Sequence, residues 1–214
     1  MPRVSALVTA GGKGTRIAEL KQEKPLVRLS GRPIIDYVLD ALKGSKEVSE
    51  VVVSVSGATP ETESHVHEEG YRFIRTPGAG YVEDLRYAMY LITTPYVLVV
   101  PADMPLLRSE SIDQVVTAFY RSKKSSIVVG VPEVIFQEAN MGADPTVVMD
   151  MNGERAVPCG ISIVDRDLML QGMYLDEAYM VTELMDFAIN VNTVAQLRKA
   201  AKVLRSRKAK VRPS

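Results

Sequence analysis

Apolar positions along this chain follow two alternating rhythms. Short runs built almost wholly of Val, Ile and Leu occur at Val51-Val52-Val53-Ser54-Val55, Val97-Leu98-Val99-Val100 and Ile127-Val128-Val129-Gly130-Val131, with a further apolar run from Val4 to Thr9. Near-continuous runs of this length suit strands covered on both faces, as in a parallel sheet. Between them, apolar side chains recur three and four residues apart: Ile34, Ile35, Val38, Leu39 and Leu42; Leu85, Ala88, Met89 and Ile92; Ile112, Val115, Val116 and Phe119. That spacing gathers each set into one stripe of a helix. Pro33 suits the first turn of the first helix, where a missing N–H costs little.

Strands alternating with helices predict an α/β fold of three layers, α/β/α, with an open, mostly parallel sheet and a Rossmann-like nucleotide-binding half. In such sheets ligands bind at the carboxyl ends of the strands. The glycine-rich segment after the first strand and Asp103, just beyond Val97–Val100, both fall at such ends and are expected to face one crevice.

The rhythm changes after about residue 140. Asn152-Gly153, between two short runs in Val147–Val157, predicts a type I′ β-hairpin, and Gly160–Val164 reads as another strand. The C-terminal half is therefore expected to make a β-hairpin excursion from the sheet. The chain returns through Ile189–Val191 to a final helix with the stripe Val194, Leu197, Ala201 and Leu204, and Asn192 is placed as its N-cap. Residues 1–204 read as a single domain. Residues 205–214 carry five basic side chains and almost no apolar ones. Such a segment cannot repay the entropy of ordering and reads as a flexible basic tail.

Composition narrows the function classes. The 214 residues are 46% hydrophobic, enough for one sizeable core. Lys+Arg and Asp+Glu are both 26, so the molecule offers no overall field for nucleic acid or an anionic membrane. The single cysteine, Cys159, excludes an internal disulfide and a Cys-based zinc site, and reads as a small buried side chain. With no signal-peptide pattern and no apolar run long enough to span a bilayer, the expectation is a soluble cytoplasmic protein. His65 and His67 stand in a charged stretch, Glu61 to Glu69, and read as part of a solvated face. Met141, Met149, Met151, Met169, Met173 and Met180 gather in the second half and read chiefly as core filling.

The chemistry concentrates in Ala10-Gly11-Gly12-Lys13-Gly14-Thr15-Arg16, followed by Glu23-Lys24-Pro25-Leu26. Three glycines allow backbone N–H groups to approach phosphate oxygens, and Lys13, Arg16 and Lys24 surround them with positive charge. The loop lacks the G-x-x-x-x-G-K-[ST] of a P-loop, since Gly14 is followed by Thr15 and Arg16, and it has Ile17 where the dinucleotide fingerprint needs its third glycine.

These residues resemble the signature of the nucleotidyltransferases that share the nucleotide-diphospho-sugar transferase, or MobA-like, fold. Gly78-Ala79-Gly80-Tyr81-Val82-Glu83-Asp84-Leu85, Pro158-Cys159-Gly160-Ile161 and Asn190-Val191-Asn192-Thr193 are similar to elements of the archaeal GTP:adenosylcobinamide-phosphate guanylyltransferases. The resemblance runs from residue 4 to about 204 and leaves out the basic tail. It implies transfer of GMP from GTP to adenosylcobinamide phosphate, with release of pyrophosphate, in cobalamin biosynthesis.

On that reading, Ala10, Gly11, Gly12, Lys13, Gly14, Thr15 and Arg16 hold the nucleotide phosphates, and Arg16 is placed at the departing pyrophosphate. Lys24 is placed at the α-phosphate, and Asp103 at a Mg²⁺ ion. Arg16, Lys24 and Asp103 are the expected catalytic set. Gly80, Glu83 and Asp84 are candidates for base and ribose, because a carboxylate suits guanine's paired donors; adjacent on a helix, Glu83 and Asp84 point apart, so at most one meets the base. Gly160, Asn190 and Asn192 are candidates for the acceptor side, and Asn192 also for the metal or nucleotide. A molybdenum-cofactor guanylyltransferase or a sugar-phosphate nucleotidyltransferase uses the same loop with another acceptor. A GTP-binding regulator without chemistry is the rival of a different class.

Overall fold

A computed structural model describes residues 4–12, 22–140 and 145–211. The first strand, β1 (Val4–Thr9), shows why the sheet forms. Ala6 and Val8 enter the core on one face and Leu7 enters a second core on the other, all three fully buried. A strand apolar on both sides has to lie inside a sheet with helices on each face. Its parallel neighbours are β4 (Val48–Val55) and β6 (Tyr96–Pro101). Beyond β4 lies the edge strand β5 (Arg72–Arg75), whose exposed terminal arginines suit an edge that must not pair further.

On the other side, β6 meets β9 (Glu154–Asp165), which runs antiparallel to it and to β7 (Ser126–Pro132); β10 (Glu177–Val181) then pairs parallel with β7. The order is β10-β7-β9-β6-β1-β4-β5, with β8 (Met149–Met151) paired to β9, making eight strands. A two-stranded ribbon of β2 (Arg28–Leu29) and β3 (Arg32–Pro33) stands apart from the sheet.

The helical stripes dock as their periodicity requires. α1 (Ile34–Gly44) buries Ile34, Ile35, Val38, Leu39 and Leu42, and α4 (Ser109–Ser122) buries Ile112, Val115, Val116 and Phe119, both in the larger core. α3 (Tyr81–Leu91) buries Ala88 and Met89 against Leu7, Val52, Val97 and Val99 on the opposite face. Helices on both faces of a mostly parallel sheet give the expected α/β architecture.

Several elements differ from the sequence reading. α2 (Pro60–Glu68) buries only Thr62 and Val66, too little apolar signal to announce a helix. α5 (Glu133–Ala139), α6 (Arg166–Leu170) and α7 (Met185–Ala188) are each too short to show a period. The Asn152-Gly153 hairpin forms as expected, with φ of 60° and 84° at the two turn residues, both left-handed as type I′ demands. Its second strand does not leave the sheet, however: β9 inserts between β6 and β7. Ile189–Val191 forms no strand, and the backbone bond from Val191 N to Asp103 O, 2.8 Å, tethers it to the end of β6.

Residues 205–211, within the basic segment expected to be flexible, continue α8 (Val194–Val211). Arg207 secures it, donating to Leu106 O at 2.6 Å and to Asp186 Oδ1 at 2.5 Å. Asn192 does not cap this helix. The cap is Thr193, whose hydroxyl accepts from Gln196 N at 3.2 Å, while Gln196 Oε1 accepts from Asn192 N at 2.8 Å, one residue ahead of the partner a capping box uses. No described helix is long and apolar enough to cross a membrane.

Candidate active site

The chain after β1 and the chain after β6 are stitched together at the carboxyl edge of the sheet. Ala10 N donates to Ser54 O at 2.9 Å, and Ala102 N donates to Thr9 O at 3.3 Å. Gly11 packs so closely on the end of β4 that an added Cβ would lie 3.2–3.3 Å from Val55 C and from Ser56 Cβ and N; Ser56 Oγ donates to Gly11 O at 2.7 Å. The glycine loop therefore begins pressed against β4, and Gly12 faces open space. Lys13, Gly14, Thr15 and Arg16, assigned to the phosphates, lie outside the described residues.

Two adjoining cavities open here, of about 410 and 540 Å³, sharing Thr9, Gly12 and Tyr81. The first contains Lys24, Asp103, Asn192 and Gly160. The second is walled by Ser56, Thr76, Gly80 and Asp84.

Lys24 reaches the first cavity because its backbone is anchored. It opens a short 3₁₀ turn, Lys24–Leu26, whose next two residues, Pro25 and Leu26, are buried. The ammonium donates to Asp103 Oδ2 and, at 2.7 Å, to Asn192 Oδ1. The other carboxylate oxygen, Asp103 Oδ1, accepts from Asn190 Nδ2 at 3.1 Å, and that amide also donates to Cys159 O at 3.4 Å. The Lys24 and Asp103 side chains retain only 17% and 14% exposure. An ion pair this shielded from water is justified by its additional hydrogen bonds, and both amides supply them.

Asn190 and Asn192, expected on the acceptor side, are thus held in direct contact with the Asp103–Lys24 pair. Cys159 contributes its carbonyl. Its buried thiol is pushed up to about 12 by desolvation and stays protonated at neutral pH.

At the second cavity the structure separates the two acidic candidates. Asp84 is half-buried in the wall, and its Oδ1 accepts from Gly78 N at 2.8 Å and Ala79 N at 3.2 Å, holding that glycine segment in shape. Glu83 is exposed, its carboxylate lying against Gly80. Gly80, at φ 132°, adopts a conformation open mainly to glycine. Ser56 and Thr76, which belong to no motif in the sequence, also line this cavity, and Tyr81, within the Gly78–Leu85 segment, lines both cavities. Ser56 and Thr76 directly follow β4 and β5, so their positions at strand ends were the available signal.

Gly160 is required sterically. Its φ is +89°, and an added Cβ would fall 2.8 Å from Pro101 Cγ, at the end of β6. Gly160→Ala is expected to cost about 1–3 kcal/mol through backbone strain and forced displacement of Pro101. Urea unfolding of the variant tests this, and an unchanged midpoint would show that the close approach carries no cost.

Residues 6–162 match the family described as MobA-like NTP transferase domain. The adenosylcobinamide-phosphate guanylyltransferase of Methanocaldococcus jannaschii is 34% identical over 207 residues, 94% of this chain and 98% of that protein. A molybdenum cofactor guanylyltransferase of Shewanella loihica is 28% identical over 55% of this chain and 57% of its own length. Among solved structures, CMP:2-keto-3-deoxy-manno-octonic acid synthetase complexed with CTP superposes with a TM-score of 0.74 at 16% identity, covering 96% of this chain and 99% of that one. The 4-diphosphocytidyl-2C-methyl-D-erythritol synthase of Anaerococcus prevotii gives 0.68 at 13% identity, covering 95% and 96%. At those identities the structures establish the fold, while the sequence matches establish the lineage: this chain is a nucleotidyltransferase of the MobA-like NTP transferase family, in the group of the adenosylcobinamide-phosphate guanylyltransferases.

Proposed function

We propose that this enzyme transfers GMP from GTP to adenosylcobinamide phosphate, yielding adenosylcobinamide-GDP and pyrophosphate, in cobalamin biosynthesis. The observation that carries the reading is the Lys24–Asp103–Asn190–Asn192 cluster at the smaller of two adjoining cavities, in a chain similar along 94% of its length to an adenosylcobinamide-phosphate guanylyltransferase. Nucleotidyl transfer builds negative charge on the α-phosphate and the leaving group, so the protein's work is placement and charge stabilisation. Lys24 is assigned to the α-phosphate, and Arg16, with the backbone of Gly11 to Gly14, to the pyrophosphate. Asp84, set in the wall of the larger cavity, is better placed than Glu83 to meet guanine. The acceptor enters the smaller cavity past Gly160.

The donor set suits Mg²⁺. Asp103 Oδ2 and Asn192 Oδ1 already converge on one cationic atom, Lys24 Nζ, and both are the hard oxygen ligands that Mg²⁺ takes. No cluster of three or more His, Cys, Asp or Glu suited to a metal occurs among the described residues. That fits an ion held by one or two protein groups and completed by phosphate oxygens. When bound, the ion would offset charge on the phosphates, and Asp103 and Asn192 would hold it.

Pyrophosphate release measured with each NTP and each acceptor tests the assignment. Release is expected with GTP and adenosylcobinamide phosphate together. Turnover with molybdopterin or sugar phosphates and none with the corrinoid would overturn the acceptor. GTP binding without transfer to any acceptor would favour a non-catalytic regulator.

A further inference from the structure

We propose that Glu23 is a positioning residue for Lys24, fixing the catalytic lysine by clamping its turn to the N-terminus of α2. The inference rests on the reading of this crevice as a site of nucleotidyl transfer. Glu23 Oε1 accepts from Glu61 N at 2.8 Å, while Oε2 accepts from Thr62 N at 2.7 Å and from Thr62 Oγ1 at 2.6 Å. Glu61 and Thr62 are the second and third residues of α2, where backbone N–H groups have no partner within the helix. A carboxylate there satisfies two of them and meets the positive end of the helix dipole.

The residue that would normally supply this cap is engaged elsewhere. Thr59 makes no side-chain bond to α2; its hydroxyl accepts from Ser56 N at 3.1 Å and donates to Ser56 O at 3.4 Å. The cap comes instead from a residue 38 positions before Glu61, immediately preceding Lys24. The main chain of Glu23 completes the clamp, because its carbonyl accepts from Leu26 N at 2.9 Å and closes the turn that Lys24 opens.

One residue thus joins two parts of the site. Its side chain holds α2, whose approach through Ser56, Gly57 and Ala58 walls the larger cavity, and its backbone sets where the Lys24 stem begins. A lysine side chain is long and flexible, so its ammonium meets Asp103 and Asn192 reproducibly only if the backbone beneath it is fixed.

The test is a double-mutant cycle read by single-turnover GMP transfer and pyrophosphate release. Glu23→Ala is expected to lower kcat about 10- to 100-fold, the scale of a misplaced catalytic group, with a smaller change in the KM for GTP. Glu23→Gln, which keeps an acceptor oxygen, is expected to recover part of the rate. In a Lys24→Ala background the Glu23→Ala loss is expected to disappear, since no ammonium remains to position. The same fold-loss in both backgrounds, or a lowered unfolding temperature with kcat unchanged, would reduce Glu23 to a structural cap and overturn the proposal. Should Glu23→Ala fail to fold, Thr62→Val removes one of the three donors at nearly constant volume, and the same non-additivity is expected at smaller size. A wild-type enzyme that releases no pyrophosphate with any nucleotide and acceptor would instead overturn the reading of the crevice, and this proposal with it.

Discussion

Lys24→Ala is expected to slow GMP transfer by about 10² to 10³-fold at saturating GTP and acceptor, the range seen when one preorganised electrostatic contact is removed. The magnitude follows from the site's dryness. With 17% of its side chain exposed, the ammonium would act on a bound phosphate through little intervening water. Asp103 and Asn192 hold it inside the cavity before the ion binds, and the anchored turn beneath it keeps it there once the ion takes those two oxygens. Lys24→Arg is expected to recover less than the retained charge suggests, because a planar guanidinium cannot stand in for a point charge held by both Asp103 Oδ2 and Asn192 Oδ1. The folded state should tolerate the alanine. Asp103 keeps its bond from Asn190 Nδ2 and lies at a cavity wall where water can enter. A rate within about threefold of wild type in the pyrophosphate assay would mark Lys24 as a surface charge outside the reaction.

The parts of this molecule legible in its sequence are those whose signal is local. Val97–Val100 reads as a buried strand because every position is apolar, and α4 reads as a helix because Ile112, Val115, Val116 and Phe119 share one face. Asp103 stands out as a carboxylate at the end of such a strand. α2 lacked that signal, as two buried residues among nine cannot reveal a period. The antiparallel insertion of β9 depends on long-range pairing with β6 and β7, which its own residues do not encode as a pattern.

The site divides in the same way. Residue types could nominate Lys24 and Asn192 separately, but their contact spans 168 positions and exists only through topology. Asn192 resembled a helix cap because it stands one residue before the true cap, Thr193. Two of the three donors to Glu23 are backbone N–H groups, which every residue but proline carries and which therefore leave no mark in composition or spacing.

Asp186→Ala is expected to lower stability by about 3 kcal/mol, the cost of opening a buried ion pair, or roughly 6–12 °C in unfolding temperature for a chain of this size. The side chain is 1% exposed and accepts from Arg108 Nε at 2.8 Å, Arg207 Nη2 at 2.5 Å and the hydroxyl of Ser111. It thereby joins α4, α7 and α8 at one point. Removing the carboxylate leaves two guanidiniums facing each other and the buried hydroxyl of Ser111 without its acceptor. Arg108 and Arg207 are 48% and 27% exposed and can partly rehydrate, which keeps the loss at the low end for buried charges. Truncation after Leu204 is expected to act in the same direction at about 1–2 kcal/mol, because it removes Arg207 while Arg108 and Ser111 still satisfy Asp186. Had the basic segment been a solvated tail, the truncation would leave the urea midpoint where it was. Combining it with Asp186→Ala should then cost less than the sum of the two, since each removes the same contact. Full additivity in urea unfolding would place the stabilising role of Arg207 somewhere other than Asp186, leaving its bond to the Leu106 carbonyl as what holds α8 against the body of the protein.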